Sequence, residues 1–114
     1  MRDDDRVRLR HMADAAASIA RFISGRERSD LDSDEMLLFA VVRALPIIGE
    51  AATKVSDETK RTVVEIPWPD IIGMRNRIIH AYWDVNRTIV WKAAAEEVPS
   101  LLERLRSVLP SDER

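Results

Sequence analysis

Between Gly73 and Tyr82 the chain reads Gly73-Met74-Arg75-Asn76-Arg77-Ile78-Ile79-His80-Ala81-Tyr82. A fixed cation, a side-chain amide, a titratable imidazole and a phenol fall there within about two helical turns. Histidine takes and gives protons near neutral pH. Arginine offers a planar fork of donors to a phosphate and stabilises charge that builds on it. Asparagine can orient either the imidazole or a substrate. Together these groups suit cleavage of RNA with the ribose 2′-OH as internal nucleophile: His80 would assist proton transfer and Arg75 would hold the phosphorane, with Asn76 beside them. Such a reaction needs no metal and no cofactor. Two histidines and no cysteine make a poor transition-metal set, and the scattered carboxylates form no magnesium pattern. The same residue types on one helix also make ordinary interface hydrogen bonds, so residue types alone leave both readings open.

Spacing limits what one copy of this stretch can assemble. Asn76 and His80 are four apart and share a helix face. Arg75 lies about 100° from Asn76 and about 140° from His80 on an ideal helix. A single chain therefore separates Arg75 from His80 unless the helix unwinds near Ala81. Two copies facing each other across a dimer axis would pool their groups in one composite cleft.

The elements that position the stretch are helical. Residues 3–24 read as a helix with Asp3, Asp4 and Asp5 at its N-terminus, where carboxylates meet unpaired amides, and with Gly25 as its stop. Leu9, Met12, Ala13, Ala16, Ile19, Ala20 and Ile23 make its apolar stripe. Arg2, Arg6, Arg8 and Arg10 read as a solvated face or as a phosphate-steering edge, and His11 as a boundary residue. Residues 26–34 read as a charged connector without apolar content. Asp32 and Glu35 resemble a capping box for a second helix, about Ser33 to Val55. Its buried face would be Leu37, Ala40, Val41, Ala44, Ile47, Ile48, Ala51 and Val55, with a kink at Pro46. Glu50 would sit at the rim or pair with an arginine of the key stretch. Ser56 to Arg61 suits a short helix, and Thr62-Val63-Val64 an extended segment. Pro67-Trp68-Pro69 starts a third long helix, to about Ala81, in which Gly73 permits close approach by a neighbour. Asp84 or Asn86 would cap a fourth, running to about Leu109 with a bend at Pro99 and a stop at Pro110. No period-two strand pattern and no internal repeat occurs. The reading is an all-α, antiparallel four-helix bundle with a short extra helix, a single domain over 1–114. The second helix is apolar over too wide an arc for one neighbour, which predicts a homodimer.

Composition bounds the function. A chain of 114 residues holds one modest core. The apolar runs are interrupted short of bilayer length and the acidic N-terminus is no secretory leader, so no membrane association is expected. The absence of cysteine fits a reducing cytoplasm. A net charge of −2 argues against broad wrapping on nucleic acid but leaves room for a local arginine cluster.

A resemblance adds to this. Arg75, four residues, His80, one residue and Tyr82 together resemble the signature of the HepT-like branch of the HEPN superfamily. Asp3-Asp4-Asp5-Arg6-Val7-Arg8-Leu9-Arg10-His11-Met12 resembles that family's opening helix. Ala44-Leu45-Pro46-Ile47-Ile48-Gly49-Glu50-Ala51-Ala52 resembles its second-helix signature, from which Pro46 departs. Ile66-Pro67-Trp68-Pro69-Asp70-Ile71-Ile72-Gly73-Met74-Arg75-Asn76 resembles the approach to its catalytic motif. The resemblance implies an all-helical homodimer with a metal-independent ribonuclease cleft at the interface. It further implies a toxin of a type VII-like toxin–antitoxin system whose partner is an MntA-type nucleotidyltransferase. That partner would transfer AMP to the motif tyrosine, here Tyr82. Arg75 and His80 map onto the catalytic pair and Asn76 onto the polar position after the arginine, with Glu50 and Arg77 as supporting groups. A second class stays open: a non-catalytic nucleotide- or RNA-binding module that scaffolds the nucleotidyltransferase.

Overall fold

A computed structural model of the chain describes residues 1–83 and 86–110, the side chains of residues 79–83 excepted. Its elements, in order, are α1 (Asp3–Ile23), α2 (Asp30–Ser33), α3 (Glu35–Thr53), α4 (Asp57–Thr62), α5 (Trp68–Trp83), α6 (Arg87–Lys92), a π-helical segment (Ala93–Glu97) and α7 (Val98–Val108). α1 packs on α3, α3 on α5, α5 on α6, and α7 returns to α1, so the long elements close a four-membered ring. Leu9, Met12, Ile19, Leu45, Ile48, Met74, Ile78, Leu101 and Leu105 fill its centre. Each such side chain contributes roughly 1.5–3 kcal/mol on burial.

Local chemistry accounts for the boundaries. Gly25 has φ +73°, the left-handed conformation that ends a helix and that glycine adopts without a Cβ clash. The cap of α3 is Asp34, two residues beyond the expected Asp32: its side chain accepts from Leu37 N at 3.1 Å. Ser56 caps α4 and Asn86 caps α6, each accepting from the backbone N–H three residues on. α3 runs unbroken across Pro46.

Three expectations are corrected. The connector does have apolar content: Leu31, on α2, is fully buried and joins the core. Thr62 belongs to α4, and Val63 to Ile66 form a turn rather than an extended segment. That turn is held from within, because the buried Trp68 indole donates from Nε1 to the Val63 carbonyl at 2.9 Å. Finally, α3 is by length and composition apolar enough to cross a membrane; half of its most apolar window is buried here, against α1 and α5, as in a core helix.

The last long element is not one α-helix. Pro99 has no N–H for the carbonyl four residues back, at Ala95, and its ring clashes there. The π turn over Ala93–Glu97 widens the helix at this place and so accommodates the proline without breaking the element.

The three acidic residues at the start of α1 part company. Asp3 and Asp4 are exposed, whereas Asp5 is 2% exposed and reaches the start of α4. Its carboxylate accepts from Ser56 Oγ and Thr59 Oγ1, each at 2.6 Å, and from Ser56 N at 2.9 Å. Burial alone would raise its pKa. The hydrogen bonds from Ser56 and Thr59, helped by the Arg2 charge, outweigh that and hold it below the ordinary carboxylate value.

Candidate functional site

Ile71, Met74 and Ile78 turn α5 inward and are buried. Their spacing leaves Arg75, Asn76 and Arg77 exposed. Gly49 brings α3 against this part of α5. A Cβ added there would lie 3.1 Å from the Ile71 carbonyl oxygen and 3.3 Å from Arg75 N. The expected close approach at Gly73 is not made within the chain, because a Cβ added at Gly73 meets nothing within 4 Å.

The next residue on α3 completes the contact. Arg75 Nη1 donates to Glu50 Oε2 at 2.9 Å. Of the two places open to Glu50 in the sequence, the structure selects partnership with the motif arginine. About half of each side chain remains exposed, so the pair is accessible from solvent.

Arg77 goes elsewhere. It pairs with Glu97 at 3.1 Å and donates to the Asp70 carbonyl at 3.1 Å. That ties α5 to the π segment and makes Arg77 a brace rather than a neighbour of Glu50. Asn76 is exposed between the two arginines. The side chains of His80 and Tyr82, and the alternative cap Asp84, lie outside the described residues.

Arg75 and Glu50 open onto a groove of about 410 Å³ between α1 and α3. Arg8 and His11 line it from α1; Arg43, Pro46, Ile47, Ala51 and Lys54 line it from α3. Four fixed cations against one carboxylate give it a charge of +3 with the imidazole neutral. The chain as a whole carries −2, so everything outside the groove carries −5. In the sequence His11 reads as a boundary residue, and neither Arg43 nor Lys54 stands out from the solvated face of its helix. The available signal was that 43, 47, 50 and 54 form one stripe along α3; the helix facing that stripe is set only by packing. Among the described residues, no three histidine, aspartate or glutamate side chains gather as a metal site would require.

The fold defines a compact all-α domain whose motif arginine opens onto a groove of net positive charge. Comparison with known proteins narrows the class. The ribonuclease HepT-like family matches residues 12–108. A protein of Thermococcus cleftensis named "Probable ribonuclease HepT" is 40% identical over 101 residues, which cover 86% of this chain and 92% of that one. An inferred RNase of Caldanaerobacter subterraneus is 32% identical over 104 residues, covering 91% and 93%. One from Methanocaldococcus jannaschii is 28% identical over 105 residues, covering 92% and 96%. No solved structure matches the chain. The chain belongs to the HepT-like ribonucleases of the HEPN superfamily.

Proposed function

We propose that this protein is a metal-independent endoribonuclease toxin, active as a homodimer and held in check by an MntA-type nucleotidyltransferase. The observation that carries the reading is Arg75: a half-exposed guanidinium, positioned by Gly49 and Glu50, at a groove with an excess of cations. Membership of a ribonuclease family supports the same reaction.

In this reaction the ribose 2′-oxygen attacks the adjacent phosphorus as His80 accepts its proton. Arg75 offers two parallel N–H donors to the non-bridging oxygens as charge grows on the phosphorane. The bond from phosphorus to the 5′-oxygen breaks, the leaving oxygen takes a proton, and the products are a 2′,3′-cyclic phosphate and a 5′-hydroxyl. Glu50 holds Arg75 until RNA arrives. Exchanging a carboxylate for a phosphate at a solvent-accessible arginine has a small cost, because such a pair contributes little on its own. Asn76, exposed beside Arg75, orients the substrate.

A second chain supplies what one helix cannot, since Arg75 and the His80 position diverge by about 140° around α5. The exposed apolar residues Met36 and Phe39 on α3, outside the groove, support burial against a second copy. AMP on the Tyr82 hydroxyl would add an anionic phosphodiester next to the motif, compete for Arg75 and fill space meant for RNA.

The deciding experiment is RNA cleavage by purified protein in excess chelator, beside His80→Ala. Wild type should release cyclic-phosphate ends and His80→Ala should not. Equal, negligible cleavage by both would leave the protein as a non-catalytic module. Control is tested by co-expression: Tyr82→Phe should stay toxic and escape neutralisation by the nucleotidyltransferase. Full neutralisation of Tyr82→Phe would exclude that tyrosine as the switch.

A further inference from the structure

The ribonuclease reading needs Arg75 at the scissile phosphate, yet Arg75 is only one of four cations in its groove. Arg43 and Lys54 stand 11 residues apart on one stripe of α3, about 16 Å along the axis. Arg8 faces them from α1. None of these three makes an ion pair among the described residues, whereas the groove's single carboxylate, Glu50, is engaged by Arg75.

We infer that the α1–α3 groove is the track for the RNA backbone leading to Arg75, with Arg8, Arg43 and Lys54 as its phosphate contacts. The inference rests on the ribonuclease reading and adds where the substrate lies on either side of the cut. Three properties of the groove argue for it. Its length suits a run of consecutive phosphates rather than one anion. Its charge is of the opposite sign to the rest of the molecule, so a polyanion is repelled elsewhere and drawn in here. Among its described lining residues there is no phenylalanine, tyrosine or tryptophan and His11 is the one ring, so its contacts fall mainly on the backbone rather than on stacked bases. The track therefore binds single-stranded RNA electrostatically and with little base preference.

The test uses the full-length protein and a 2′-O-methyl RNA oligonucleotide, which lacks the nucleophile and cannot be cut by this route. Kd is measured across a salt series for wild type and for the triple variant Arg8→Gln, Arg43→Gln, Lys54→Gln. Each phosphate contact contributes about −0.7 to the slope of log K against log salt for a single strand, so the triple variant should flatten the slope by about 2. Its affinity at low salt should fall at least tenfold. With cleavable RNA, KM should rise by a similar factor while kcat at saturation stays within about twofold. Lys54→Gln alone, on an exposed position, should flatten the slope by about 0.7 and serves if the triple variant folds poorly. An unchanged Kd and slope in variants of a wild type that cuts RNA would overturn the track alone. So would conversion of the variants from dimer to monomer, because the groove would then be contact surface between copies. A wild type that neither binds nor cuts RNA would instead remove the ribonuclease reading beneath it.

Discussion

Two carboxylates one helix apart are put to opposite uses. Asp5 is buried, accepts three hydrogen bonds, and welds the start of α1 to the start of α4. Glu50 is half exposed and meets one guanidinium at 2.9 Å. In the first case the donors are fixed by the fold, and losing the carboxylate leaves the buried Thr59 hydroxyl unsatisfied. In the second, water can replace either partner at once. The stable contact is not part of the groove lining, whereas the exchangeable one is at Arg75, which the proposed reaction sets at the phosphate. Structural and functional roles are thus separated by solvent access rather than by residue type.

The largest effect should come from the buried side of that comparison. Asp5→Ala should destabilise the protein by about 3 kcal/mol, as expected for removing charge-assisted hydrogen bonds from a buried site. The melting temperature should drop by on the order of 10 °C. Because the native pKa of Asp5 is lowered, its contribution is complete above the unfolded value of about 3.9 and disappears as pH falls through the native one. The stability gap between wild type and variant should therefore be flat from about pH 8 to pH 5 and close below about pH 4. Denaturant melts at several pH values check this, and a gap that showed no narrowing as pH fell below about 4 would refute the hydrogen-bonded carboxylate as its source.

Arg75→Ala should reverse the pattern. Cleavage should fall at least 100-fold, about the effect of losing one charge-stabilising donor, while the melting temperature moves little. Arg75→Lys should also be impaired, since an ammonium cannot reproduce the two-pronged contact. A fully active Arg75→Ala would show that the groove is not where chemistry occurs.

Gly49→Ala falls between the two regions. The new Cβ would press on the Ile71 carbonyl and on Arg75 N, both backbone atoms, so α3 and α5 must separate. A loss of about 1–2 kcal/mol in stability is expected, together with a several-fold loss of cleavage as Arg75 shifts. Thermal melts and single-turnover rates distinguish the two. Loss of stability with unaltered cleavage would show that Arg75 does not depend on this packing.

The smallest effect belongs to Glu50→Gln. Melting temperature should stay within about 2 °C of wild type, because the pair is solvent-accessible. KM for RNA should fall by a few-fold as the one carboxylate among the groove's described residues becomes neutral. A large destabilisation instead would make Glu50 a structural residue like Asp5 and dissolve the contrast.

Much of the bundle was legible because helical periodicity and caps are local. Gly25, Ser56, Asn86 and Pro110 fall at ends for reasons carried by their own chemistry. What was misread required a tertiary partner. Leu31 looks like one apolar residue in a charged run until α2 delivers it to the core. Asp5 looks like its neighbours Asp3 and Asp4 until Ser56 and Thr59, more than 50 residues away, meet it. The motif is legible through its resemblance once the flanking segments are included, and Glu50 has two places open to it beside the buried face until the fold selects one. The groove was not. Arg8 and His11 differ from solvated surface only through what α3 places opposite them.

The π segment has a consequence for comparing chains by counting residues. Buried positions in the last long element step by four, from Val90 to Ala94 to Val98. Two such steps overshoot two ideal helical turns by about 80°. The wide turn absorbs that overshoot, so Leu101 and Leu105 of α7 stay buried where the helix packs on α1. In effect the element carries close to one surplus residue, stored beside Pro99. A relative with no proline there has no need of the surplus, and its last helix should align to this one with a single-residue gap inside 93–97.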